Sequence, residues 1–196
     1  MPEENSRVAT ASLLRHTRIF KISPLIRITL ILLYVALTLP LPFLAVVTQA
    51  PVPGWLLGWA ILLGGIVLHG SLSEQVFVDE SGIEVRYPHW IAWLLRRKWQ
   101  LSWQEITALK PRTTGQGGLV YYFTNRQAEQ AYLLPMRIAG FAELLQYVEA
   151  HTTIDTRDVR PLAQPWMYAI LLGFSLMLLL VDSWTLWTAS HLTEVS

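Results

Sequence analysis

The sequence predicts an α+β membrane protein: three transmembrane helices, with an antiparallel β-domain closed by one C-terminal helix between the second and third spans. Three observations predict it. Apolar runs at 28–47, 55–72 and 165–187 reach or approach the roughly 20 residues a helix needs to cross a bilayer. Hydrophobic residues make up 53% and charged residues 15%, with mean hydropathy +0.37, whereas soluble domains carry roughly a quarter charged residues. All 15 Lys and Arg fall within 1–27 or 73–160 and none follows the third run, the asymmetry of the positive-inside rule.

Composition also excludes classes of function. A net charge of +1 provides no field for nucleic acid, so no nucleic-acid partner is expected. With no cysteine, disulfides, thiol catalysis and thiolate-held clusters are ruled out.

Residues 1–27 form a basic N-terminus, expected on the cytoplasmic side. Leu13 and Phe20 lie a heptad apart with Leu14 and Ile19 beside them, so the segment reads as a helix lying on the membrane or as a frayed basic tail. Residues 28–72 form a two-helix hairpin. The first span, Ile28 to about Val47, is longer than a signal-peptide core and is expected to be retained, with Pro40 and Pro42 kinking or finishing it. The uncharged Thr48–Pro53 segment is a turn. In the second span, Trp55 to about Leu72, Gly54, Gly58 and Gly65 line one stripe where another helix can approach.

Residues 73–160 form the β-domain. Gln75–Val78 and Ile83–Tyr87 read as strands around the turn signal Glu80-Ser81-Gly82. Ile106–Lys110 and the β-rich Leu119–Thr124 are joined by Thr113–Gly118, and Ala131–Leu134 follows a polar turn. Phe141, Leu144, Leu145 and Val148 fall at helical spacing, giving a closing helix over 139–151. The third span runs over 165–187, and 188–196 is a tail on the external or lumenal side. Trp55, Trp59, Trp184 and Trp187 would form the outer aromatic belt; Trp166 and Tyr168 belong to the inner one.

Within the β-domain, Tyr87–Trp103 concentrates Trp90, Trp93, Trp99 and Trp103 around Arg96, Arg97 and Lys98. Tryptophan favours the membrane–water boundary, and each basic residue there gains roughly 1 kcal/mol from anionic lipid. These seven residues are the expected membrane or lipid contact. The basic trio reads equally as a mere topogenic cluster, and Lys110 and Arg112 extend a basic face if the register allows.

The remaining candidates are weaker. Asp182 is the one carboxylate inside a span, with Ser175 two turns earlier and Trp55 as a possible donor, so it is read as a structural polar group or as a proton or ligand site. His69 and His89 read as interfacial histidines without a metal ligand set, a pigment or haem ligand from His69 staying open. Thr114–Gly118 lacks the Lys-Ser/Thr of a phosphate loop, and the Glu74, Asp79, Glu80 and Glu84 cluster surrounds a turn. No catalytic grouping is visible, and neither an enzyme nor a cofactor is expected.

VFVDESGIEVRY (76–87), LSWQEITALKPR (101–112) and FAELLQYVEAH (141–151) resemble the opening hairpin, following strand and capping helix of membrane-anchored bacterial PH-like domains. The resemblance covers roughly Ser73–Thr153. The stretch Arg86–Ile106 also resembles the photosystem I assembly factor family of cyanobacteria and chloroplasts, from which this chain departs by its third span. These resemblances imply a bacterial inner or thylakoid membrane and a scaffold that binds a membrane protein complex, such as a photosystem, during its assembly. Anionic-lipid binding, or a small transporter or enzyme subunit using Asp182, are the alternative readings.

Overall fold

The first strand of the β-domain is found ahead of the membrane hairpin, inside the segment expected to be a tail. The computed structural model describes residues 17–95, 98–115, 119–125, 131–159 and 165–193. Contacts divide the chain into two units: Met1–Ile22 with Ser73–Leu162, and Ser23–Leu72 with Ala163–Ser196.

In the first unit, β1 (Arg18–Lys21), β2 (Gln75–Val78), β3 (Gly82–Arg86) and β4 (Trp99–Ser102) make an antiparallel sheet in that order. Register is set by Lys21 opposite Gln75, Val76 opposite Val85, and Ile83 opposite Leu101. The period of two places Phe20, Val76, Val78, Ile83, Val85 and Leu101 inward. The expected surface helix or frayed tail over 1–27 is therefore corrected at 18–21, where Phe20 is a core residue.

A short helix, α4 (His89–Leu95), bridges β3 and β4. A second antiparallel sheet comprises β5 (Ile106–Thr113), β6 (Leu119–Asn125) and β7 (Ala131–Leu133). Its Tyr121 and Phe123 join the same core, which α5 (Phe141–His151) closes with Phe141, Leu144 and Val148. Gly140 precedes α5 at φ 80°, a left-handed conformation suited to glycine.

Two local devices fix the β2–β3 corner. The Asp79 carboxylate accepts from the Ser81 hydroxyl (2.5 Å), the Ser81 N–H (2.8 Å) and the Gly82 N–H (3.1 Å). Gly82 has no room for a side chain, because a Cβ would run into the Leu101 carbonyl.

In the second unit, α1 (Pro24–Thr38) ends where Pro40 breaks the run, and α2 (Leu41–Val47) follows. Then come α3 (Gly54–Ser71) and α6 (Pro165–Thr193). Pro24–Val47, Gly54–Ser71 and Pro165–Ala189 are long and apolar enough to cross a membrane. Most of their apolar surface faces outward, which is the arrangement hydrocarbon favours. Among the described residues the protein is thus a mixed α+β chain with three candidate spans and two antiparallel sheets.

Helix α1 packs on α6 through small and polar residues. Thr29 and Ser175 are fully buried, and the Thr29 hydroxyl donates to the Tyr168 carbonyl at 3.4 Å. Against α3, the Tyr34 hydroxyl donates to the Ile61 carbonyl at 2.5 Å, and its ring lies over Gly64 and Gly65. Of the glycine stripe, Gly65 meets Tyr34, whereas Gly54 and Gly58 have open space where a Cβ would stand.

Candidate functional site

The tryptophan-rich stretch divides into two halves with opposite fates. Pro88 starts α4, whose first turn closes through Ile91 and Ala92 N–H groups donating to the Pro88 carbonyl. Ile91, buried, pins the helix, while Trp90 is 49% and Trp93 72% exposed, with Leu94 beside them. The Trp93 indole N–H donates to the Trp90 carbonyl at 2.9 Å, so the ring is held by its own helix and shows an apolar face outward.

Trp99 and Trp103 face the other way. Trp99 packs against Phe123 and Tyr132, at ring-centre distances of 6.4 and 5.4 Å. Trp103 is 5% exposed, donates its N–H to the Asp79 carbonyl at 2.8 Å and stacks on His151. The expected membrane contact is corrected here: Trp103 and most of Trp99 are core, because β4 and the turn after it alternate into the sheet interior. The available sequence signal is the period-two alternation of Trp99, Leu101 and Trp103, which begins only at Trp99.

Arg96 and Arg97 lie outside the described residues, as do Gln116–Gly118 of the 113–118 loop. Lys98 is exposed and sits 3.9 Å from Glu84. Glu84 is 8% exposed although it points to the outer face of the sheet, and it also pairs with Arg86. Arg86 in turn lies over the Phe77 ring, 5.1 Å from its centre. In the sequence Glu84 is one of four carboxylates around the hairpin turn, with nothing local to mark it as covered. Its cross-strand position opposite Phe77, between two cations, was the signal available once register was known.

Arg86, Tyr87, His89, Ala92 and Lys98 line an open cavity of ≈ 280 Å³ beneath α4. A second hollow of ≈ 380 Å³ lies on the outer sheet face between Ile19, Phe77, Ser81, Glu84 and Gln100. Lys110 and Arg112 are placed on β5, in the other sheet from β4, which Lys98 precedes.

The other candidates belong to the second unit. Asp182 buries its Oδ2 without a hydrogen-bond partner among the described residues, and Trp55, 69% exposed, does not donate to it. His69 meets the Arg27 guanidinium, with Nε2 at 3.2 Å. Among the described residues no group of three or more His, Asp or Glu could hold a metal.

Comparison with known proteins finds a full-length relative, the uncharacterized protein slr0269 of the cyanobacterium Synechocystis sp., 54% identical over 181 residues, 91% of each chain. The chain belongs to that protein's family. No protein-family model and no solved structure matches. Coverage of 91% of this chain extends the similarity over most of the apolar helices and the β-domain.

Proposed function

We propose that this protein is a non-enzymatic, membrane-anchored PH-like module that binds an integral membrane protein complex as an assembly or biogenesis factor. The observation that carries the reading is α4: two exposed tryptophans and a leucine on a helix anchored by buried Ile91. Rigid exposed aromatics are the residues on which protein interfaces concentrate their binding energy. The four-plus-three antiparallel strands closed by one helix support the PH-like description. Gly54 and Gly58, open on a helix with little covering it, provide a place for a partner span.

The photosynthetic membrane is the setting this reading favours. Its support is the resemblance of Arg86–Ile106 to a photosystem assembly factor, together with a cyanobacterial relative. The distribution of Lys and Arg supports a cytoplasmic or stromal side for the domain and the basic N-terminus. The test is a mild-detergent pull-down of tagged full-length protein, read by mass spectrometry and pigment absorbance, beside the Trp90→Ala/Trp93→Ala variant. Recovery of subunits of one membrane complex, lost in the variant, supports the reading. Recovery of the chain with lipid alone would sink it and transfer the weight to anionic-lipid binding by Arg96, Arg97 and Lys98.

A further inference from the structure

We propose that Arg27, oriented by His69, is a binding site for a phosphoryl oxyanion at the polar end of the α1–α3 hairpin, supplied by an anionic phospholipid headgroup or by free phosphate. It is independent of the partner reading above and uses none of α4.

The hairpin brings the two residues together. Tyr34 meets Ile61 along the antiparallel helices, and further toward the polar end Arg27 meets His69. Arg27 lies in the first turn of α1 and His69 in the last turn of α3. At a rise of ~1.5 Å per residue, both sit within about 5 Å of the helix ends. That is the level at which a spanning hairpin meets headgroup phosphates.

The pairing is chemically incomplete. A guanidinium is always charged and presents a fork of five N–H donors. One nitrogen faces the His69 ring, at 3.2 Å from Nε2 and 3.5 Å from Nδ1. An imidazole accepts a hydrogen bond but brings no negative charge. The ion pairs of the described residues, by contrast, all join an Arg or Lys to a carboxylate, and Arg27 is in none of them. A permanent cation at the edge of hydrocarbon, held in one orientation and without an anion among the described residues, is poorly placed unless an oxyanion completes it. Phosphate oxygens match the fork geometry and take two N–H groups at once.

The test titrates purified full-length protein in mild detergent with short-chain phosphatidylglycerol and, separately, with inorganic phosphate, followed by phosphorus NMR. Arg27→Gln is expected to weaken binding about tenfold, the loss of a charge-assisted pair; Arg157→Gln, whose guanidinium already pairs with Asp155, serves as the unaffected control. Binding of the lipid without competition by inorganic phosphate supports the site and assigns it to the headgroup. Competition by inorganic phosphate supports it and assigns it to the free ion. Wild-type binding of both probes by Arg27→Gln overturns it. If Arg27→Gln fails to fold, His69→Asn decides: a weaker affinity supports the site, and an unchanged one overturns it.

Discussion

The Trp103 indole N–H donates to the backbone carbonyl of Asp79 at 2.8 Å, tying the turn after β4 to the corner between β2 and β3. Asp79 itself folds its carboxylate back over Ser81 and Gly82. One contact therefore joins three strands at a single corner, and the tryptophan at its centre belongs to the same sequence cluster as the exposed Trp93.

The two tryptophans should separate cleanly on mutation. Trp103→Ala is expected to cost about 3–5 kcal/mol, as removal of a large buried aromatic does. Trp93→Ala should change stability by no more than about 0.5 kcal/mol. Thermal unfolding of the detergent-solubilised protein by near-UV circular dichroism compares them; equal losses would contradict the assignment of Trp93 to an outward face.

Glycine substitutions provide a second contrast. Gly82→Ala drives a Cβ into the Leu101 carbonyl and should destabilise the domain by several times the ~1 kcal/mol range of an ordinary substitution. Gly58→Ala meets nothing within 4 Å and should leave the isolated chain unchanged or slightly stabler. The larger Gly58→Ile should leave monomer stability intact yet lower recovery of the partner complex, if a partner span rests there.

Asp79 predicts a pH response. Burial pushes its carboxyl up, but hydrogen bonds from the Ser81 hydroxyl, the Ser81 N–H and the Gly82 N–H outweigh that and hold it below the ordinary value of 3.8. A depressed folded-state pKa contributes stability above the unfolded value, and that contribution disappears as pH falls through the folded one. Wild type should thus lose more stability than Asp79→Asn as pH is lowered from about 5 to below the ordinary carboxylate range. Parallel acid-unfolding curves for the two would refute this role for the carboxylate.

Asp182 gives a test inside the third span. A carboxylate oxygen buried without a hydrogen bond is costly there, so Asp182→Leu should raise the melting temperature of the purified chain. A rise accompanied by retained complex binding marks the residue as dispensable. A rise with lost binding assigns the carboxylate to the partner.

Much of this architecture was legible in the residues. The three apolar runs, the break at Pro40, the β2–β3 hairpin and the 141–151 helix follow from length, proline geometry and periodicity, all local signals. What escaped was non-local. Arg18–Lys21 is a strand only because Gln75–Val78 lies beside it, and four residues next to an apolar run carry no readable alternation. The fate of each tryptophan also depended on register: Trp99 and Trp103 are drawn inward by strand pairing, whereas Trp90 and Trp93 ride a short helix. The cover over Glu84 is likewise non-local in part, since Arg86 comes from the same strand but Lys98 from beyond α4.

The insertion of a membrane hairpin between β1 and β2 has a consequence for biogenesis. During synthesis Arg18–Lys21 emerges before either helix of the hairpin, and its pairing partner Gln75–Val78 emerges only after both. The first strand therefore waits, unpaired, while the translocation machinery seats the hairpin. If one helix failed to insert, the two strands would be stranded in different compartments and the sheet could not zip. Completion of the four-stranded sheet thus requires both ends of the hairpin to finish on the same side.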